Sequence, residues 1–256
     1  MDEVAESART EQACFFCANL SSRRVPAIRM KLAILFLLPL ALTLQAQTPK
    51  PEAKTKRAPS PVTAPIQDVV GLPRVLIIGD SISMGYTLPT RKLLEGKANV
   101  HRIPQNGGPT KNGIANIEKW LGAGKWDVIH FNWGIHDLKF MPDGKRQVEV
   151  ADYEKNLRAL VARMKQTGAT LIWASTTPIP EGELNPSRRF GSVKEYNDIA
   201  ARVMAENGVI TDDLNAHMTP EFDRLHNPKD LHYGAEGYEF LAKKVAEEIT
   251  KALAKR

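Results

Sequence analysis

Three observations predict an α/β domain whose parallel sheet is covered by helices on both faces. Short aliphatic runs alternate five times with segments of helical period. The runs are continuous rather than in/out alternating, as expected of strands buried on both sides. Gly168 and Gly208 each stand between a helical segment and the next run, where a left-handed helix C-cap belongs.

The elements follow in order. Residues 74–79 (Arg-Val-Leu-Ile-Ile-Gly) form the first strand, and residues 88–94 carry the first helical period. Further strands are expected at 99–103, 126–133, 169–176 and 208–211, with helices at 114–121, 153–164 and 193–206 between them. An amphipathic helix over 236–253 closes the domain. In sheets of this kind ligands bind beyond the carboxyl ends of the strands, so the chemistry should lie in the loops that follow them.

The chain upstream of this domain reads differently. Lys31 is followed by thirteen uncharged, mostly aliphatic residues, 32–44, too few for a spanning helix of roughly 20 residues. Arg29 and Lys31 before the run and Ala46 after it give a secretory signal peptide over 30–46, cut near Ala46. Met30 is then the natural start and residues 1–29 are an upstream extension. Both cysteines, Cys14 and Cys17, lie in that extension, so the mature chain would carry no thiol. Residues 47–67 hold Pro49, Pro51, Pro59, Pro61 and Pro65 and read as a tether. One domain, 68–256, follows. The expected location is therefore periplasmic or extracellular, with no stable membrane insertion of the mature chain.

Composition excludes several classes. The 256 residues are 43% hydrophobic and 25% charged, which excludes a disordered polyampholyte, a collagen and a polytopic membrane protein. The net charge is +6, but +4 of it sits in residues 1–65. A folded nucleic-acid binder should carry that charge on its domain, so no nucleic-acid partner is expected. No metal-ligand spacing such as H-E-x-x-H occurs, and neither a metal nor a cofactor is expected.

Three polar clusters fall at predicted strand ends and a fourth lies near the C-terminus, before the last helix. Gly79-Asp80-Ser81-Ile82-Ser83 follows the first strand; a serine there presents its hydroxyl beside helix N–H groups, as a nucleophile or as an N-cap. Gly107-Gly108-Pro109-Thr110 lets the backbone approach a ligand, or simply turns into a helix. Gly134-Ile135-His136-Asp137 places an imidazole at the third strand. Asp230-Leu231-His232 sets an acid two residues before a histidine, where the two side chains can meet in extended backbone. Asp230 could then fix the tautomer of His232, leaving the other ring nitrogen to take a proton from a serine.

These four clusters, in this order, resemble the SGNH (GDSL) hydrolases, esterases and acyl hydrolases of flavodoxin-like fold. The resemblance runs from about residue 74 to 246 and implies a three-layer sandwich with a five-stranded parallel sheet. It implies Ser81 as nucleophile, Asp230 and His232 as the other catalytic residues, and an oxyanion hole from the N–H groups of Ser81 and Gly108 with His136. Two departures stand out. His136 occupies the family's asparagine position, and Asp230 lies two residues before His232 where the family's acid lies three before, at Lys229. Asp223 is the fallback acid.

The substrate expected from export and family is an O-acyl ester, O-acetyl on a carbohydrate foremost, with a lipase or lysophospholipase as the rival. Met84, Tyr86, Trp133, Phe140 and Met141 are available either to line an acyl pocket or to pack the core. Arg188 and Arg189 read as a solvated charge pair, with an acidic sugar as the sharper alternative. A non-catalytic module on the same fold would be expected to lack the serine or the histidine. A flavodoxin-like cofactor protein would not place Asp80 where a phosphate must sit.

Overall fold

Five strands form one parallel sheet in the order β2-β1-β3-β4-β5: β1 (Arg74–Ile78), β2 (Asn99–Arg102), β3 (Val128–Phe131), β4 (Thr170–Ala174) and β5 (Ile210–Asp212). The computed structural model describes residues 60–255; the expected extension, export signal and most of the tether lie outside the described residues. Every β3 side chain is buried, as are all but the first of β1 and β4, which is the double burial the aliphatic runs imply. The five expected strands are present, four of them shortened at their ends and the fifth shifted to end at Asp212.

The helices are α1 (Ser81–Leu93), α2 (Thr110–Leu121), α3 (Val150–Lys165), α4 (Ser192–Asn207), the short α5 (Leu214–Met218) and α6 (Phe222–Leu225), and α7 (Ala235–Ala254). Helix α1 packs on α7, while α2, α3 and α4 pack side by side, giving the three expected layers. Gly208 takes the left-handed C-cap of α4 at φ 67°. Among the described residues no helix is long and apolar enough to cross a membrane.

One element differs from its expected bounds in a way that matters for the site. Helix α1 begins at Ser81, seven residues before its hydrophobic period becomes visible. The Ser-Ile-Ser-Met-Gly-Tyr-Thr turn is rich in poor helix formers, so local propensity hides it. Tertiary packing holds it instead: a Cβ on Gly85 would lie 2.0 Å from the ring of Tyr238 on α7, so only glycine lets the two helices meet there.

The strand order reverses between β1 and β3, because β2 lies on one side of β1 and the remaining strands on the other. That reversal opens a crevice at the carboxyl edge of those two strands. The loop after β1 carries Ser81 and the loop after β3 carries His136. At the far end of the sheet, Asp68 pairs with Arg74 and His101, and Arg91 donates to the Pro61 carbonyl, which ties residues just after 60 to the domain.

Candidate active site

Ser81 is the first residue of α1, set by its neighbour Asp80. Asp80 is the N-cap, with extended backbone, and its carboxylate accepts from the Ile82 N–H at 2.9 Å. The Ser81 hydroxyl therefore projects from a helix start at the crevice. Beneath it, Arg102 at the end of β2 is nearly sealed and donates to five acceptors. They are the carbonyls of Gly79 and Asp80, the Ser83 hydroxyl, and the carbonyls of Ile103 and Gln105, all at 2.8–3.0 Å. Burial works against the Arg102 charge, with Tyr86 and Asp80 pulling the other way.

The structure brings Ser81, His232 and Asp230 together across 151 residues of chain. His232 Nε2 lies 2.8 Å from Ser81 Oγ, and His232 Nδ1 lies 2.8 Å from Asp230 Oδ1. With Asp230 accepting from Nδ1–H, Nε2 carries the lone pair that faces the serine hydroxyl. The short acid–histidine spacing is accommodated by a tight turn. Pro228 and Lys229 are its central residues, Lys229 has φ 58°, and the Asp230 N–H donates to the Asn227 carbonyl at 3.1 Å. A lysine in the left-handed region costs roughly 1 kcal/mol, which the surrounding contacts must offset. No hydrogen bond links the fallback acid Asp223 to His232 among the described residues.

Burial pushes the Asp230 carboxyl up, but hydrogen bonds from the His232 ring and main-chain N–H groups outweigh it and hold it below the usual range. Its side chain is 45% exposed, so solvent screens much of that interaction.

The expected oxyanion donors fall on three loops. The Ser81 N–H makes no hydrogen bond among the described residues. Gly107 donates its N–H to the Gly79 carbonyl at 2.9 Å, and a Cβ there would lie 2.8 Å from that oxygen, so Gly107 anchors the second loop against the first. That leaves Gly108 as the free-facing amide of the pair. Its N–H donates to the exposed side chain of Asn106 at 2.9 Å, a contact that a ligand oxygen would have to replace. His136 is half-buried and makes no hydrogen bond among the described residues. Burial lowers its pKa, Asp80 opposes that, and Arg188, Lys139 and His232 reinforce it, which favours the neutral ring with one N–H to give.

Three further residues shape the site beyond what the sequence implies for them. Asp137, fully buried, accepts from both the Thr110 N–H (2.8 Å) and the Thr110 hydroxyl (2.5 Å), clamping the third loop to the start of α2. Burial pushes its carboxyl up to about 7 against those two bonds. Arg102 carried one signal, a full charge inside a predicted strand. Arg188 departs from the solvated pair expected: it is 6% exposed and donates to the carbonyls of Ile135 and Pro186, while Arg189 lies over the Phe140 ring, 4.3 Å from its centroid. Of the acyl-pocket candidates, Tyr86 and Trp133 are sealed in the core, and Met141 is exposed.

A groove of about 930 Å³ lies over the ends of β4 and β5, lined among others by Phe190, Asn197, Asn215 and Phe222. Ser81, Asp230 and His232 do not line it. Behind the nucleophile turn, between Ile82 and Ile135, the free space is only about 10 Å³. Among the described residues no group of three or more His, Cys, Asp or Glu is arranged to hold a metal.

Several solved structures share this fold. An acetyl xylan esterase, AlAXEase, aligns at TM-score 0.60 and 16% identity, over 69% of this chain and 99% of its own. The lipase/acylhydrolase from Enterococcus faecalis aligns at 0.62 and 22%, over 70% and 96%. Axe2, an acetylxylan esterase from Geobacillus stearothermophilus, aligns at 0.58 and 22%, over 69% and 94%. No curated protein is significantly similar in sequence. Residues 77–240 match the GDSL-like lipase/acylhydrolase family, from the last residues of β1 into α7. That span takes in all four polar clusters, and the chain belongs to the GDSL-like lipase/acylhydrolase family, whose members hydrolyse carboxylic esters.

Proposed function

We propose that the chain is an exported serine esterase that removes short acyl groups, O-acetyl foremost, from carbohydrate. Ser81 is the nucleophile, His232 the general base and Asp230 the residue that fixes the His232 tautomer. The observation that carries this reading is the contact between Ser81 Oγ and His232 Nε2 at 2.8 Å, with Asp230 on the other ring nitrogen. Ser81 Oγ attacks the ester carbonyl as its proton passes to His232. The carbonyl oxygen becomes an oxyanion that accepts from the Ser81 and Gly108 N–H groups and the His136 ring; at Gly108 it takes the place of Asn106. Protonated His232 gives its proton to the departing alcohol. Water, deprotonated by His232, then attacks the acyl-enzyme, and the acid leaves as Ser81 recovers its proton.

The groove over the ends of β4 and β5 favours a polar substrate. That groove pairs an exposed aromatic ring, Phe190, with the exposed charged side chains of Glu181, Lys194 and Asp198, a lining suited to a polar polymer. Two proteins of the same fold are acetylxylan esterases. Export rests on the apolar run of residues 32–44 and its basic flank.

A fluorophosphonate probe should label the protein once, at Ser81, and Ser81→Ala should abolish both labelling and hydrolysis of 4-nitrophenyl acetate. An unlabelled wild type that hydrolyses no ester would leave a binding module on this fold. Faster cleavage of the palmitate than of the acetate ester would move the substrate to lipids.

A further inference from the structure

Arg188 is a buried cation without a counter-ion. Its Nε donates to the Ile135 carbonyl at 2.8 Å and its Nη1 to the Pro186 carbonyl at 3.0 Å. Nη2 makes no protein hydrogen bond, and it is not among the polar atoms sealed from solvent. No carboxylate forms an ion pair with it among the described residues. Buried charges are normally paired, because an uncompensated one pays a desolvation cost.

The position is as informative as the missing partner. Ile135 directly precedes His136, so the bond from Nε fixes the guanidinium against the loop that carries the expected oxyanion donor. The Phe140 N–H donates to the Ser187 carbonyl at 2.9 Å, and Arg189 covers the Phe140 ring, so the 187–189 segment is held on this loop at both ends. Burial, then Arg188 and Lys111, work against the charge of Lys139, which forms no ion pair among the described residues. The acids that face Arg188 are Asp80 and Asp230. One oxygen of Asp80 is spent on the Ile82 N–H, and Asp230 is spent on His232.

We propose that Arg188, with Lys139 beside it, receives a carboxylate carried by the ester substrate close to the scissile bond. This assignment rests on the esterase reading and narrows its substrate class to acidic esters. The carboxylate can sit on the alcohol side, as in an O-acetylated uronic acid, or on the acyl side, as in a dicarboxylic half-ester. A guanidinium held by two carbonyls with one edge free is pre-organised for either.

Two matched pairs of esters separate these sources. Methyl O-acetyl-glucuronide is compared with methyl O-acetyl-glucoside, and mono-4-nitrophenyl adipate with 4-nitrophenyl hexanoate. In the wild type the charged member of one pair should show a kcat/KM about tenfold or more above its neutral mate, the scale of a hydrogen bond to a charged group. The pair that responds identifies the side. The advantage should shrink as salt rises and fall to about twofold in Arg188→Gln, with a smaller fall in Lys139→Gln. Both pairs within about twofold in the wild type, while 4-nitrophenyl acetate is still cleaved, would overturn this assignment and leave the esterase standing; that arm needs no variant to fold. An Arg188→Gln enzyme slowed equally on charged and neutral esters would also overturn it, since Arg188 would then act on the reaction at large. No cleavage of any ester and no labelling of Ser81 would remove the esterase and this assignment together.

Discussion

Arg102 under the nucleophile turn and Arg188 in the loop over it are both buried, yet they are spent differently. Arg102 gives hydrogen bonds to five acceptors and leaves one nitrogen, Nε, sealed without a partner. Arg188 gives two, and its Nη2 has no protein partner among the described residues. The same contrast recurs in the adjacent pair His136 and Asp137. Asp137 is committed to Thr110, whereas His136 makes no hydrogen bond among the described residues. The bonds of Arg102 and Asp137 hold the loops in place, whereas Arg188 and His136 keep donors without a protein partner among the described residues. In a buried setting unused capacity costs free energy, and under the proposal made here a substrate takes it up.

The contrast between the arginines should show first in stability. Arg102→Met leaves the Gly79, Asp80, Ile103 and Gln105 carbonyls short of their donor around a turn that sets Ser81. It should cost about 3–5 kcal/mol, the upper range for a single change. Arg102→Lys should recover only part, since an ammonium cannot reproduce the fork. Arg188→Met loses two carbonyl bonds but also an unpaired buried charge, and should cost about 1 kcal/mol or less. Urea unfolding of the three variants against wild type measures this, and equal costs for the two methionine variants would break the contrast.

His136 sharpens the comparison on the kinetic side. If its unspent N–H serves the oxyanion, His136→Ala should lower kcat about 10²–10³-fold with little change in KM. His136→Asn, which restores an amide donor, should fall less. An unchanged kcat in the alanine variant would take His136 out of the reaction and leave its unused N–H without a role.

Much of this was legible in the sequence, and the division follows the physics. The sheet showed itself because strands buried on both faces must be continuously apolar. Ser81, Gly108 and His136 stood out because strand ends concentrate polar residues where ligands bind, and Asp230 and His232 because of their spacing and the family pattern they resemble. Three things stayed hidden. The first two turns of α1 were masked by serine, glycine and threonine, which are held helical by the contact of Gly85 with Tyr238 rather than by propensity. The tight turn at Lys229 could not be foreseen, since lysine does not advertise a left-handed backbone. Arg188 read as a solvated charge because nothing near it in sequence announces that the 135–140 loop will cover it.

Asp137 carries the last and smallest test, because its commitment to Thr110 is of one particular ionic form. Burial lifts its carboxyl to about 7, and its Oδ2 is sealed with no protein partner. An unfolded aspartate titrates near about 3.9. An acid whose folded pKa lies above its unfolded one contributes stability that is full below the unfolded value and drains away as pH rises through the folded value. Between those pKa values the native state binds the extra proton, so stability from this group falls by about 1.4 kcal/mol per pH unit. Asp137→Asn keeps an acceptor for Thr110 and cannot ionise. The wild type should therefore lose roughly 2 kcal/mol relative to Asp137→Asn between pH 5 and 6.5, read from denaturant unfolding at the two pH values. Parallel pH dependences would mean that Asp137 stays ionised in the fold, held by the two Thr110 bonds, and that the clamp is a charged one.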